Sequence, residues 1–328
     1  MNAPGPPTPV SSDRLAAACA AVVEKAGDAV LGQKAAVESL LSAYIAGGHV
    51  LLEGVPGIGK TLLARAFAGC LGLKFSRVQF TPDLMPADVI GGNVFDQGSA
   101  AFRLVRGPVF TQILMADEIN RTPPKTQSAL LEAMQERQVT IDGVSHPLAS
   151  EFFVVATQNP VDFEGTYPLP EAQLDRFLAR VSMGLPERDV EVEIFRRAVA
   201  GELFGWGTRP AAVAPVMEPA EAAALRGASA RVHVAPELLD YLAKLAAKVR
   251  SSPDVELAIS PRGCLALLEM ARASALVYGR DYITPDDVKR HMEAAWSHRL
   301  LLTAESEIEG RSAARVLQDA AAAVEVPR

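Results

Sequence analysis

The chain has 328 residues, 49% hydrophobic and 22% charged, with a formal net charge of −7. That length fits one large domain or two ordinary ones, and the acidic balance gives no overall attraction to a polyanion. No apolar run approaches the roughly 18–20 residues of a membrane span, and the three cysteines are too scattered for a disulfide framework.

Residues 1–12 are proline-rich and polar, the composition of a disordered tail. They lack the basic start and apolar core of a signal peptide, so a reduced cytoplasm is the expected setting. A helix is expected over 12–25, capped by Ser11 or Ser12, with Leu15, Ala18, Cys19, Val22 and Val23 at helical spacing. A second is expected over 33–46. Short apolar runs at 50–52, 75–80, 113–116, 152–157 and 179–183 then alternate with helical patterns, the signature of a parallel sheet. Two insertions read as hairpins: 93–105, around Gly98, and 138–148, around Asp142-Gly143. Residues 201–219, rich in proline and glycine, read as a linker. Helices follow at 236–250, 261–278, 285–301 and a last one to about 324. Ser260-Pro261 and Thr284-Pro285 mark two of their starts with a cap and a first-turn proline. The expected organisation is an α/β domain over 13–186, a connecting segment over 187–220 and a small all-helical domain over 221–328.

Residues 54–61 read Gly54-Val55-Pro56-Gly57-Ile58-Gly59-Lys60-Thr61, a complete G-x-x-x-x-G-K-T phosphate loop between an expected strand and an expected helix. Its glycines let backbone N–H groups wrap a phosphate chain. Lys60 can reach the β- and γ-phosphates, and Thr61 can set its hydroxyl on Mg²⁺. Leu62 follows at the helix start, whose dipole favours anions. The strand at 113–116 runs into Asp117-Glu118. Asp117 is the candidate partner of Thr61 on Mg²⁺, and Glu118 the candidate to polarise an attacking water. The strand at 152–157 leads to Asn159. This asparagine suits a water- or phosphate-positioning role, although Asn-Pro is also ordinary turn chemistry. The five histidines show no metal-ligand spacing.

These features resemble an AAA+ ATPase of the MoxR type, a P-loop NTPase related to magnesium chelatase and MCM. The resemblance covers about 27–302. It is carried by Val30-Leu31-Gly32-Gln33, the phosphate loop, the string from Gln79 to Gly91, Ala116 to Arg121, Ala156 to Pro160, Glu164 to Phe177, Ser260-Pro261-Arg262 and Tyr278 to Val288. Where such proteins often have Gly-Ala before Ser-Pro-Arg, this chain has Ala258-Ile259. The resemblance implies adenine near Val30, Leu31, Gly32 and Gln33, and a sensor-1 role for Asn159. Arg176 matches the arginine finger and Arg262 the sensor-2 arginine of a helical lid. It further implies an ATP- and Mg²⁺-dependent ring, usually hexameric, and a protein partner with a von Willebrand factor A domain. By themselves, Arg176 could pair with Asp175 or Glu171, and Arg262 could be an ordinary helix-start arginine.

Three functions compete. One is a chaperone-like remodeller acting in maturation or in metal or cofactor insertion of protein complexes. Another is a nucleic-acid motor of the MCM type, and the last a non-hydrolysing scaffold. A strand-gripping hairpin needs Lys or Arg. Residues 138–148 hold neither, so no nucleic-acid partner is expected. Intact Lys60, Thr61, Asp117 and Glu118 speak against the scaffold.

Overall fold

The computed structural model describes residues 12–159, 165–203 and 213–327. The tail expected over 1–12 lies outside them, apart from Ser12. Helices α1 (Ser12–Ala29) and α2 (Lys34–Ile45) lead to β1 (Val50–Glu53), the phosphate loop and α3 (Lys60–Cys70). After β2 (Phe75–Gln79), the short α4 (Pro86–Ile90) opens the hairpin of β3 (Gly91–Asp96) and β4 (Ala101–Arg106). Next come β5 (Ile113–Asp117), α5 (Pro124–Glu136) and the hairpin of β6 (Gln138–Ile141) and β7 (Val144–Pro147). β8 (Phe153–Gln158), the single-turn α6 (Glu171–Leu174) and β9 (Ala179–Ser182) complete this half. Both expected hairpins are present, and Asn93 on one donates to the Asp142 carboxylate on the other at 2.8 Å.

The five-stranded sheet runs in the order β2-β5-β8-β1-β9, with every neighbouring pair parallel. Its central strands are near-continuous apolar runs because helices cover both faces. On one face Tyr44 of α2, Phe67 of α3 and Phe153 of β8 meet edge-on or tilted, with ring centroids 5.6–6.1 Å apart. On the other, Leu51, Phe80, Leu114, Leu130 and Phe152 form a second core. The first strand in sequence lies between the last two, so the chain reverses its winding there. Ligands of such sheets bind beyond the carboxyl ends of the strands at that point.

The segment expected to connect two domains begins with a helix, α7 (Arg188–Val199). Asp189 and Glu191 open it and Arg196 and Arg197 close it, the charge order that a helix dipole favours. Arg197 also reaches Asp28 of α1 at 2.8 Å. The glycines and prolines that marked a linker come after this helix. Part of that stretch, 204–212, lies outside the described residues. The lid then contains α8 (Pro219–Leu225), α9 (Pro236–Arg250), β10 (Val255–Leu257), α10 (Pro261–Val277) and α11 (Pro285–Trp296). It ends with β11 (Leu301–Leu302), α12 (Ala304–Ile308) and α13 (Ala313–Ala323).

Ser260 accepts a hydrogen bond from the Gly263 N–H, and Thr284 and Asp287 cap α11 reciprocally. Ile259, part of the Ala258-Ile259 departure, is buried in the lid core. The helix expected over 285–301 stops at Trp296. A 3₁₀ turn over Ser297–Arg299 turns His298 and Arg299 onto residues 175–178, and β11 then pairs with β10. Among the described residues no helix is long and apolar enough to cross a membrane.

Candidate nucleotide site

β1 delivers the phosphate loop at the carboxyl edge of the sheet. Gly57 and Gly59 hold φ angles of +81° and +97°, a left-handed backbone that L side chains rarely adopt. A Cβ on Gly59 would also come 3.2 Å from Val30 Cγ1, so the segment Val30 to Gln33 presses against the loop. Val30, Leu31, Gln33, residues 55–59 and Leu62 line one mainly apolar cleft of about 430 Å³, walled by Leu185, Pro186 and Ile194. Gly32 turns the chain behind it with φ +79°, and Gln33 Nε2 is tied to the Gly184 carbonyl at 2.9 Å. A flat apolar base fits such a cleft, with its phosphates passing to the N–H groups of the loop. The Lys60 ammonium reaches across the loop to the Gly54 carbonyl at 2.5 Å.

The acidic residues stand along the same edge. Asp117 ends β5 and is buried, and Thr61 lies in the first turn of α3. Arg77 donates to Asp117 Oδ2 through Nε at 3.0 Å and Nη2 at 2.6 Å, while the Thr157 hydroxyl donates to Oδ1 at 2.6 Å. Oδ1 therefore keeps an acceptor position. Glu118 sits in a left-handed conformation, φ 57°, and its N–H is held by Thr157 Oγ1 at 2.8 Å. Its carboxylate accepts from Gln79 Nε2 at 2.8 Å and lies 3.1 Å from the Arg121 guanidinium. Register sets Gln158 of β8 opposite Glu53 of β1, so the buried Asn159 stands level with Gly54.

Arg176 and Arg262 are elsewhere. β9 starts at Ala179, opposite Val50, so Arg176 precedes the amino end of a strand parallel to β1. Arg176 donates to the Leu131 carbonyl at 3.2 Å. Asp175, which could have paired with it, pairs with Arg299 at 2.6 Å. Arg262 is exposed at the start of α10. Arg176 and Arg262 line one shallow cleft with Gly48 and Leu178, and no residue of that cleft lines the one at the phosphate loop.

Comparison with known proteins agrees with this architecture. Residues 49–179 match the model of the ATPase family associated with various cellular activities, and 247–320 match the AAA lid domain. Chaperone MoxR1 of Mycobacterium tuberculosis is 42% identical over 283 residues, 84% of this chain and 73% of that one. Protein MoxR of Paracoccus denitrificans is 32% identical over 324 residues, 91% of this chain and 93% of the other. The chain belongs to the MoxR family of AAA+ ATPases. YeaC of Bacillus subtilis is 42% identical over 305 residues, 93% of each chain. A crystal structure from Cytophaga hutchinsonii superposes with a TM-score of 0.87 at 36% identity, covering 97% of both chains.

Seen as a MoxR-type site, the loop edge includes three side chains that the motifs alone do not reveal. Arg77, Gln79 and Thr157 hold Asp117 and Glu118 in place. A signal was present in β2, where Arg77 and Gln79 are two residues apart and share a face. Pairing of β2 with β5 puts Gln79 opposite Asp117.

Proposed function

We propose that this chain is a Mg²⁺-dependent ATP hydrolase whose site is completed by a neighbouring copy in a ring. The observation that carries this reading is the separation of the two ends of the sheet. Gly54 follows the carboxyl end of β1, whereas Arg176 precedes the amino end of its parallel neighbour β9. Four strand residues span about 13 Å, so Arg176 cannot reach the γ-phosphate held by its own loop. Arg262 shares the Arg176 face. Both would therefore serve the next subunit.

In this reading the adenine lies against Val30, Leu31 and Gln33, with Gly32 giving the turn. The loop from Gly54 to Thr61 holds the phosphates, and Leu62 closes the cleft. Among the described residues no group of three or more His, Cys, Asp or Glu side chains could hold a metal by itself. The cation would thus share the triphosphate with Thr61 and the open position of Asp117 Oδ1, consistent with the few protein ligands Mg²⁺ takes. Bound there, Mg²⁺ would neutralise charge on the β- and γ-phosphates.

Glu118 must leave Gln79 and Arg121 to orient a water and accept its proton. The water oxygen attacks the γ-phosphorus, the bond to the β-phosphate oxygen breaks, and ADP and phosphate leave. Asn159, level with the loop, holds the water or the γ-phosphate. Arg176, with Arg262, offsets the growing charge from across the interface, an effect on the order of 10³–10⁵ in rate.

The work done is remodelling of a protein complex, in maturation or in metal or cofactor insertion, with a von Willebrand factor A domain protein as partner. The chaperone name of the Mycobacterium relative supports this reading. The hairpin tip Asp142-Gly143 and the lack of Lys or Arg over 138–148 disfavour a nucleic-acid motor. A pull-down with the Glu118→Gln variant and ATP tests it. Recovery of a von Willebrand factor A protein is expected, and selective retention of DNA or RNA would contradict it.

A further inference from the structure

The turn that presents Arg176 is held from the lid by one buried side chain. Arg299 is only 8% exposed. Its Nε donates to the Asp175 carboxylate at 2.6 Å. Its Nη2 donates to the carbonyls of Asp175 at 3.2 Å and Phe177 at 2.8 Å. Its Nη1 donates to the Leu178 carbonyl at 3.2 Å and to the Ala295 carbonyl. A guanidinium has five N–H donors, and here each finds an acceptor, four of them on residues 175–178. A ring nitrogen of the neighbouring His298 lies 3.2 Å from the Phe177 carbonyl as well. The backbone is thus gripped on both sides of Arg176.

The same guanidinium lies against the helix start that bears Arg262. A Cβ on Gly263 would come 2.8 Å from Arg299 Cδ, and Trp296 Nε1 fixes the Gly263 carbonyl at 2.9 Å. Burying an arginine carries a desolvation cost that only dense hydrogen bonding offsets. A lysine at this place would bring three donors and no planar fork.

We propose that Arg299 is a positioning residue for Arg176, holding the finger turn from the lid. This rests on the reading of Arg176 as the residue that completes a neighbouring site. A displaced finger loses transition-state contact without loss of nucleotide binding, because the loop and the adenine cleft lie at the opposite edge of the sheet.

Arg299→Lys keeps the charge and loses the fork; Arg299→Ala loses both. In assembled full-length rings, each should lower kcat by about 10–100-fold, the scale of a misplacement near 1 Å, with KM for ATP within about twofold of wild type. The double variant Arg176→Ala/Arg299→Lys should turn over no more slowly than Arg176→Ala. Mixing Arg299→Lys chains with Glu118→Gln chains should restore activity, since the latter carry an intact finger turn. A staple for the fold alone would lower the melting temperature but leave kcat per assembled ring unchanged. A normal kcat in Arg299→Lys, or a loss that adds to that of Arg176→Ala, overturns the positioning role. Arg176→Ala serves as the reference. If it alone abolishes turnover while Arg299→Lys is normal, only the positioning role fails; if Arg176→Ala is itself normal, the finger assignment fails too. Should Arg299→Ala not fold, Arg299→Lys decides the matter.

Discussion

The two edges of the sheet differ in how they are built. At the carboxyl edge, one unbroken segment from β1 through the loop into α3 carries the whole phosphate-loop motif, and a neighbouring strand end adds Asp117. At the amino edge, Arg176 and Arg262 come from segments far apart in sequence, and Arg299 of the lid grips the turn that carries Arg176. On the proposed reading, the first edge binds a nucleotide within a single chain. The second has no phosphate loop and, on the same reading, acts on the site of a neighbouring copy. Such a division would separate nucleotide binding from hydrolysis.

Substitutions can break this comparison. The largest effect belongs to the amino edge: Arg176→Ala should lower kcat on the order of 10³–10⁵-fold, with ATP affinity retained in an equilibrium binding assay. At the carboxyl edge Glu118→Gln should keep ATP and slow hydrolysis by roughly 10²–10⁴-fold. Rapid single-turnover hydrolysis by that variant would remove Glu118 from the chemistry. Lys60→Ala removes a charge-assisted contact and should weaken ATP binding by about 10–100-fold, read by titration of a fluorescent nucleotide; unchanged affinity would sink the loop assignment.

Thr157→Val offers a subtler probe. It strips a partner from Asp117 Oδ1 and from the Glu118 N–H. A stability loss of about 1–3 kcal/mol is expected in chemical denaturation, together with slower turnover.

Acid should also separate the two edges. His49 is fully buried between the Met134 carbonyl and the Val154 N–H, and burial lowers its pKa to about 3. Burial likewise lowers His291 to about 4 and holds His298 well below the ordinary value. These rings are neutral in the fold, while the unfolded chain takes up their protons below about pH 6.5. Their contribution is complete above that pH and is lost as pH falls toward 4 and then 3, each histidine costing up to about 1.4 kcal/mol per pH unit. The His298 ring lies against the Phe177 carbonyl, and the backbone carbonyl of His49 accepts from the Leu178 N–H. Between pH 7 and 5, amide exchange should therefore rise at 175–178 before it rises at 57–61. The reverse order would show that the amino edge is not the acid-sensitive one.

How much of this was legible in the sequence follows the same division. The phosphate loop, Asp117-Glu118 and the strand-by-strand α/β pattern are local, and the residues that make them are neighbours in the chain. The partners of Asp117 and Glu118 are set by register between strands up to 40 residues apart, which alternation in β2 only hinted at. α7 was hidden because the proline- and glycine-rich stretch after it dominated the composition. The end of α11 was misplaced because its helical spacing continues past Trp296. What stops it is the burial of Arg299 against residues 121–124 positions away, a tertiary demand with no local signature.

The claim that the site is split between copies has one direct measurement. Arg176→Ala chains and Glu118→Gln chains, each inactive, are mixed and shown to co-assemble, and ATP hydrolysis is followed. Recovery of activity at hybrid interfaces, where an intact Glu118 meets a neighbour's intact Arg176, is the predicted result. Mixed rings as inactive as either parent would contradict it.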